Sequence, residues 1–183
     1  MQFLSLSWDE FAEEIHKLSQ KIKAADFDVI IAMARGGLTV SHLLSDYLSL
    51  PLASFTISSY KDLEKQEVLE ISYEVGGSLA GKRVLLVDDV SDSGRTFERG
   101  IIHLQKLGAT SIKTAAVFVK PTTKHLPDYS LLQTDKWIIF PFDKRETVLS
   151  LMKDYKKKGF TIEQIKHNLR ELKIPDYIIS EFV

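Results

Sequence analysis

Four consecutive aliphatic residues, Val84-Leu85-Leu86-Val87, run straight into two adjacent acids, Asp88 and Asp89, and that abrupt change constrains the fold more than any other stretch. A run without polar alternation marks a strand buried on both faces, which means a parallel sheet covered by helices. After the acids, residues 91–95 are polar and contain Gly94. From Thr96 onward Phe97, Ile101, Leu104 and Leu107 recur at helical spacing, and Gly108 marks the stop. Strand, loop, helix is the predicted order over 83–100, and ligands bind at such strand ends.

The pattern recurs. Val29-Ile30-Ile31-Ala32-Met33 leads into Arg35-Gly36-Gly37 and a predicted helix over 38–48. A further apolar strand over 112–119 ends at Lys120-Pro121. Strands are also expected over 51–59 and 68–75. The chain opens with a capping box, Ser7-Trp8-Asp9-Glu10, and a helix to about residue 25, whose face Trp8, Phe11, Ile15, Leu18 and Ile22 mark; Trp8 is expected in the core. Helices are predicted over 147–157, 161–172 and 175–182. The fold class is therefore α/β, with a three-layer parallel sheet.

With 183 residues and 44% hydrophobic content the chain can bury one good core but not two large ones. A net charge of −1 supplies no field to gather nucleic acid or an anionic membrane, and Lys156, Lys157 and Lys158 read as a solvated helix face. The lack of cysteine excludes a disulfide scaffold and thiolate metal sites. Neither a signal peptide nor a membrane-length apolar run is seen, so a cytoplasmic location is expected, with no nucleic-acid or membrane partner.

The 88–96 loop has what an oxyanion needs: hydroxyls on Ser91, Ser93 and Thr96, a glycine allowing close backbone approach, and free amides where the helix begins. Adjacent carboxylates would repel a phosphate, so Asp88 and Asp89 make sense as partners of a divalent metal or of sugar hydroxyls. Asp92, inside the cradle, fits a group that gives or takes a proton. A calcium loop is excluded, since its twelfth position is Gly100 and a strand precedes it; nucleotide P-loop and dinucleotide fingerprints are missing. Arg35, Gly36 and Gly37 make a second anion site plausible. The competing reading is an ordinary solvated turn before a helix.

Residues 87–96, Val-Asp-Asp-Val-Ser-Asp-Ser-Gly-Arg-Thr, resemble the signature of the type I phosphoribosyltransferases. The resemblance implies that Asp88 and Asp89 contact the ribose hydroxyls of phosphoribosyl pyrophosphate and its Mg2+, that Asp92, Ser93, Gly94, Arg95 and Thr96 hold the 5′-phosphate, and that Arg35, Gly36 and Gly37 hold the pyrophosphate, with a cis peptide before Arg35. Ser59 and Tyr60 match the pair on the family's flexible lid. Lys120, with Trp137, Ile138 and Asp143, resembles the base-binding hood of the xanthine-guanine and hypoxanthine-guanine enzymes, Lys120 meeting the 6-oxo group and Trp137 stacking on the ring. Asp92 is then the general acid/base. The implied layout is a core over 1–143, its hood mainly from 120–143, and a helical extension over 144–183. The implied activity is transfer of phosphoribosyl to a 6-oxopurine by a homo-oligomer. A non-catalytic regulator sensing phosphoribosyl pyrophosphate, like the pyrimidine-operon attenuator, is the alternative.

Overall fold

A computed structural model describes the backbone of residues 2–61 and 67–183 and the side chains of 2–58 and 69–183. The chain forms two compact units, Glu13–Asp135 and Met1–Ala12 with Lys136–Val183. In chain order the elements begin with β1 (Phe3–Ser5), α1 (Trp8–Ser19), β2 (Val29–Ala34), α2 (Gly36–Leu48), β3 (Leu52–Lys61) and β4 (Glu67–Tyr73). They continue with β5 (Arg83–Ser91), α3 (Arg95–Lys106), β6 (Ser111–Val119), β7 (Tyr129–Gln133), β8 (Trp137–Ile139), α4 (Lys144–Lys157), α5 (Ile162–Glu171) and α6 (Asp176–Phe182).

In the larger unit, six strands form one sheet in the order β4-β3-β2-β5-β6-β7. The uninterrupted apolar runs occupy its centre, where Ile30, Ile31, Leu85 and Leu86 are fully buried and β2 lies parallel to β5 from Val29↔Val84 to Ala32↔Val87. The pairs β2–β3, β5–β6 and β6–β7 are also parallel, whereas the edge strand β4 returns antiparallel to β3. The chain leaves β2 through α2 toward β3 on one side, and leaves β5 through α3 toward β6 on the other. Right-handed crossovers running in opposite directions put their two helices on opposite faces of the sheet and open a crevice between the carboxyl ends of β2 and β5.

On the α3 face, Ile31, Met33, Phe55, Leu86, Phe97 and Leu104 pack into one cluster. A Cβ on Gly100 would lie 3.1 Å from Leu86 Cδ2 and from Met33 Sδ, so α3 approaches closely because that residue has no side chain. The helix stops as expected: Gly108 adopts φ +88°, its N–H donates to the Gln105 carbonyl at 3.0 Å and Ala109 N–H donates to that of Leu104 at 3.2 Å, a Schellman ending.

In the smaller unit β1 and β8 pair in parallel, and Ile139, Val148, Leu151, Ile165, Leu169 and Ile179 form its core. Lys144 is buried there, its ammonium donating to Ser5 Oγ at 3.4 Å, the Leu6 carbonyl at 3.3 Å and the Lys173 carbonyl at 3.2 Å. Burial lowers its pKa, and the charge of Lys173 lowers it further. The expected capping box of Ser7 with Glu10 closes at the start of α1, and a second, of Thr161 with Gln164, opens α5.

The first helix departs from expectation. It ends at Ser19 and gives way to a 3₁₀ turn over Ala24–Asp26. Phe11, Ile15, Leu18 and Ile22 are buried as predicted, but Trp8 is 56% exposed and does not belong to the core. As the first residue of the helix it overhangs the end of the apolar face, where it lines a cavity with Pro141, Pro175 and Tyr177. Three short strands, β1, β7 and β8, escape the sequence pattern. Among the described residues, no helix is long and apolar enough to cross a membrane.

Candidate active site

The two loops singled out by sequence meet at the crevice between β2 and β5. Gly37 is buried, and a Cβ on it would clash with the Val87 carbonyl and lie 3.1 Å from Asp88 Cα. Gly36 stands against Asp89, whose two carboxylate oxygens would be 2.7 Å from its Cβ. The glycine pair therefore lets one anion-type turn press directly on the acid pair. The peptide between Ala34 and Arg35 is cis, as the resemblance implies, and Arg35 is exposed at the start of α2.

Asp88 Oδ1 accepts from the Asp89 N–H at 3.0 Å. Burial pushes the Asp88 carboxyl well above the ordinary carboxylate range and the negative charge of Asp89 adds to this, while the backbone N–H groups of Asp89 and Gly37 pull it back. Such a pair is relieved by a cation or by hydroxyl donors. Among the described residues no group of three or more His, Cys, Asp or Glu gathers to hold a metal. Two carboxylates nevertheless supply the hard oxygen donors that would fit a magnesium ion.

Beside the acids, residues 88–94 with Thr96 and Phe97 line a cavity of about 190 Å³. Asp92 and Ser93 are exposed in it, and Gly94 adopts φ +85° to turn the chain into α3. The helix opens directly after this turn, where the Arg95 N–H donates to Ser93 Oγ at 3.4 Å, and helix-opening amides are the kind of donor an oxyanion takes. Ser91 is a correction: it is 1% exposed and its hydroxyl is engaged by Thr123 Oγ1 and the His125 carbonyl, both at 2.8 Å, so it supports the loop instead of facing a ligand. Thr123 and His125 were not foreseen, because nothing in Pro-Thr-Thr-Lys-His distinguishes it from an ordinary connection.

Lys120 follows β6 on the same edge, its N–H donating to the Ser91 carbonyl at 2.9 Å. Arg35, Gly36, Gly37, Asp88, Asp89, Asp92, Ser93, Gly94, Arg95, Thr96 and Lys120 are thereby carried by three adjacent strand ends of one unit. For the lid pair, backbone pairing places Ser59 opposite Leu69 and Tyr60 opposite Val68; their side chains lie outside the described residues.

The remaining base-binding candidates belong to the smaller unit. Trp137 and Ile139 share one face of β8 and Ile138 takes the other. Trp137 is half-exposed and lines a cavity of about 470 Å³ with Phe3, Thr147, Asp154, Tyr155 and Lys158. Ile138 is 8% exposed. Asp143 is the N-cap of α4, its carbonyl accepting from Thr147 N–H at 3.2 Å.

Comparison with known proteins gives a consistent picture. The model of the phosphoribosyl transferase domain matches residues 6–147. The xanthine-guanine phosphoribosyltransferase of Idiomarina loihiensis is 30% identical over 142 residues, covering 75% of this chain and 85% of that protein. The crystal structure of a purine phosphoribosyltransferase from Pyrococcus horikoshii is 40% identical, with a TM-score of 0.71 over 78% of this chain and 95% of the other. The xanthine-guanine-hypoxanthine phosphoribosyltransferase of Helicobacter pylori, 24% identical, shares the fold with a TM-score of 0.69 over 84% of this chain and 99% of the other.

Proposed function

The chain belongs to the phosphoribosyl transferase domain family, and from that premise we propose that it transfers the 5-phosphoribosyl group from phosphoribosyl pyrophosphate to a 6-oxopurine, releasing pyrophosphate in purine salvage. The observation that carries this reading is the meeting of two helix-opening loops at the β2–β5 crevice, with Gly36 against Asp89. Likeness to the Idiomarina and Pyrococcus proteins supports the purine as acceptor.

Each residue has a task that follows from charge and reach. Leaving pyrophosphate develops negative charge, which the Arg35 guanidinium and the N–H groups of Gly36 and Gly37 stabilise where it forms. Asp88 and Asp89 accept from the ribose hydroxyls and would hold Mg2+, whose charge would there offset that of the leaving-group oxygens. The amides of residues 93–96 and the hydroxyls of Ser93 and Thr96 hold the 5′-phosphate and so fix the sugar. With C1 of the ribose turning cationic as the leaving group departs, a purine nitrogen attacks, and Asp92 takes the proton that nitrogen loses. Lys120 donates to the 6-oxo group, with Trp137, Ile138 and Asp143 assigned to the base by family resemblance. Ser59 and Tyr60 are assigned to a lid that excludes water. A cytoplasmic homo-oligomer completes the reading.

The test is pyrophosphate release from phosphoribosyl pyrophosphate and Mg2+ with guanine, xanthine, hypoxanthine and adenine in turn. Release is expected with 6-oxopurines and not with adenine. No release with any base would favour the non-catalytic sensor.

A further inference from the structure

We propose that Thr123 and His125, which do not line the cavity, are positioning residues: the strap over 120–125 fixes the phosphate-holding loop and Lys120 as one piece. The inference rests on the reading of 92–96 as the 5′-phosphate site.

The strap is laced to the loop at successive points. Lys120 N–H donates to the Ser91 carbonyl at 2.9 Å, and Lys124 N–H donates to the Ser93 carbonyl at 3.1 Å. Ser91 Oγ and Thr123 Oγ1 lie 2.8 Å apart, and both reach the His125 carbonyl, at 2.8 and 3.1 Å. Gly94 is so close that a Cβ on it would lie 2.5 Å from the His125 backbone nitrogen and 3.0 Å from Thr123 Oγ1. The loop therefore has no room to move toward the strap, and its hydrogen bonds resist movement away from it.

The strap is in turn anchored to β6 and α3. The His125 ring stacks on Phe97, centroids 5.1 Å apart at 22°. His125 Nε2 lies 3.1 Å from Thr114 Oγ1. That hydroxyl donates to Asp128 Oδ2 at 2.9 Å, so it receives its hydrogen bond from Nε2–H, which fixes the tautomer. Asp128 is held by Lys113 at 2.8 Å.

A phosphate cradle works by presenting donors that need no rearrangement when the anion arrives. Thr123 supplies part of that preorganisation through Ser91, and the same strap begins at Lys120, so its loss loosens sugar-phosphate binding without touching the reacting atoms. Thr123→Val removes the hydroxyl at nearly constant shape. Loss of one such hydrogen bond predicts a rise of about three- to tenfold in the ribose 5-phosphate Kd and in the phosphoribosyl pyrophosphate KM, with kcat within about twofold. Thr123→Ser restores both. Ser91→Ala removes the other half of the contact and carries the same expectation should the valine variant not fold. Thr110→Val, whose hydroxyl donates to the Lys82 carbonyl at 3.0 Å, is the control: it leaves the Kd unchanged.

Calorimetric titration with ribose 5-phosphate, alongside steady-state kinetics, decides the matter. A folded Thr123→Val protein with wild-type Kd, or a Thr123→Ser protein as weak as the valine variant, overturns the proposal. Wild-type protein that fails to bind ribose 5-phosphate overturns the phosphate site and this inference together. Wild-type protein that binds it but releases no pyrophosphate overturns the transfer reaction alone, and the strap is still judged by the Kd values.

Discussion

A methyl group on Gly36 would stand 2.7 Å from both carboxylate oxygens of Asp89. This contact joins the two loops that sequence alone could only place on one edge. Gly36→Ala is expected to displace the Asp89 carboxylate and lower kcat/KM more than stability. Gly37→Ala meets backbone of Val87 and Asp88 instead of a movable side chain, so it should cost about 1–3 kcal/mol of folding free energy. Urea denaturation of both variants beside their kinetics checks the contrast; equal stability losses would contradict it.

His103 predicts a pH effect on folding. It is 6% exposed on α3, its ring beside Phe55 at 5.0 Å. Burial lowers its pKa from the ordinary 6.5; Glu74 opposes the shift, and Arg99 and Lys106 assist it. Between the lowered value and 6.5 the unfolded chain binds more protons, so stability rises with pH across that window and falls as pH drops through it. His103→Leu should flatten this slope. Urea midpoints from pH 5 to 7.5 test it, and an unchanged slope in the variant would assign the effect to another group.

Lys120 separates base recognition from sugar binding. Lys120→Met removes a charged donor but leaves the backbone bond to Ser91, so the KM for guanine should rise about ten- to a hundredfold. The ribose 5-phosphate Kd should stay within about threefold of wild type, because the phosphate loop keeps its support. A comparable rise in both constants would show that the side chain acts on the whole site.

The legible parts of this molecule were those with a strong one-dimensional signal. Uninterrupted runs such as residues 84–87 announce strands covered on both faces, and Arg35-Gly36-Gly37 and residues 88–96 announce anion loops by composition. What stayed hidden depends on three-dimensional meeting. The hydroxyl of Ser91 looks like a phosphate ligand until Thr123 and His125 are seen to engage it. Trp8 looks like core because helical spacing records direction around an axis but not where the apolar face ends. β1 is three residues long, too short for any periodicity to emerge, and it takes shape by pairing with β8. The cavity that Trp137 lines with α4 is likewise invisible in a one-dimensional pattern, because it joins residues of two separate elements.

The most direct test of the account is pyrophosphate release by wild-type and Asp92→Asn protein with guanine, read beside phosphoribosyl pyrophosphate affinity. Asp92 is exposed in the cavity, and its carboxylate is required to accept the proton of the attacking purine. Turnover by the variant should fall about a hundred- to ten-thousandfold while the phosphoribosyl pyrophosphate Kd stays within about threefold. A wild-type protein without turnover, a variant as fast as wild type, or equal losses in turnover and affinity would contradict it.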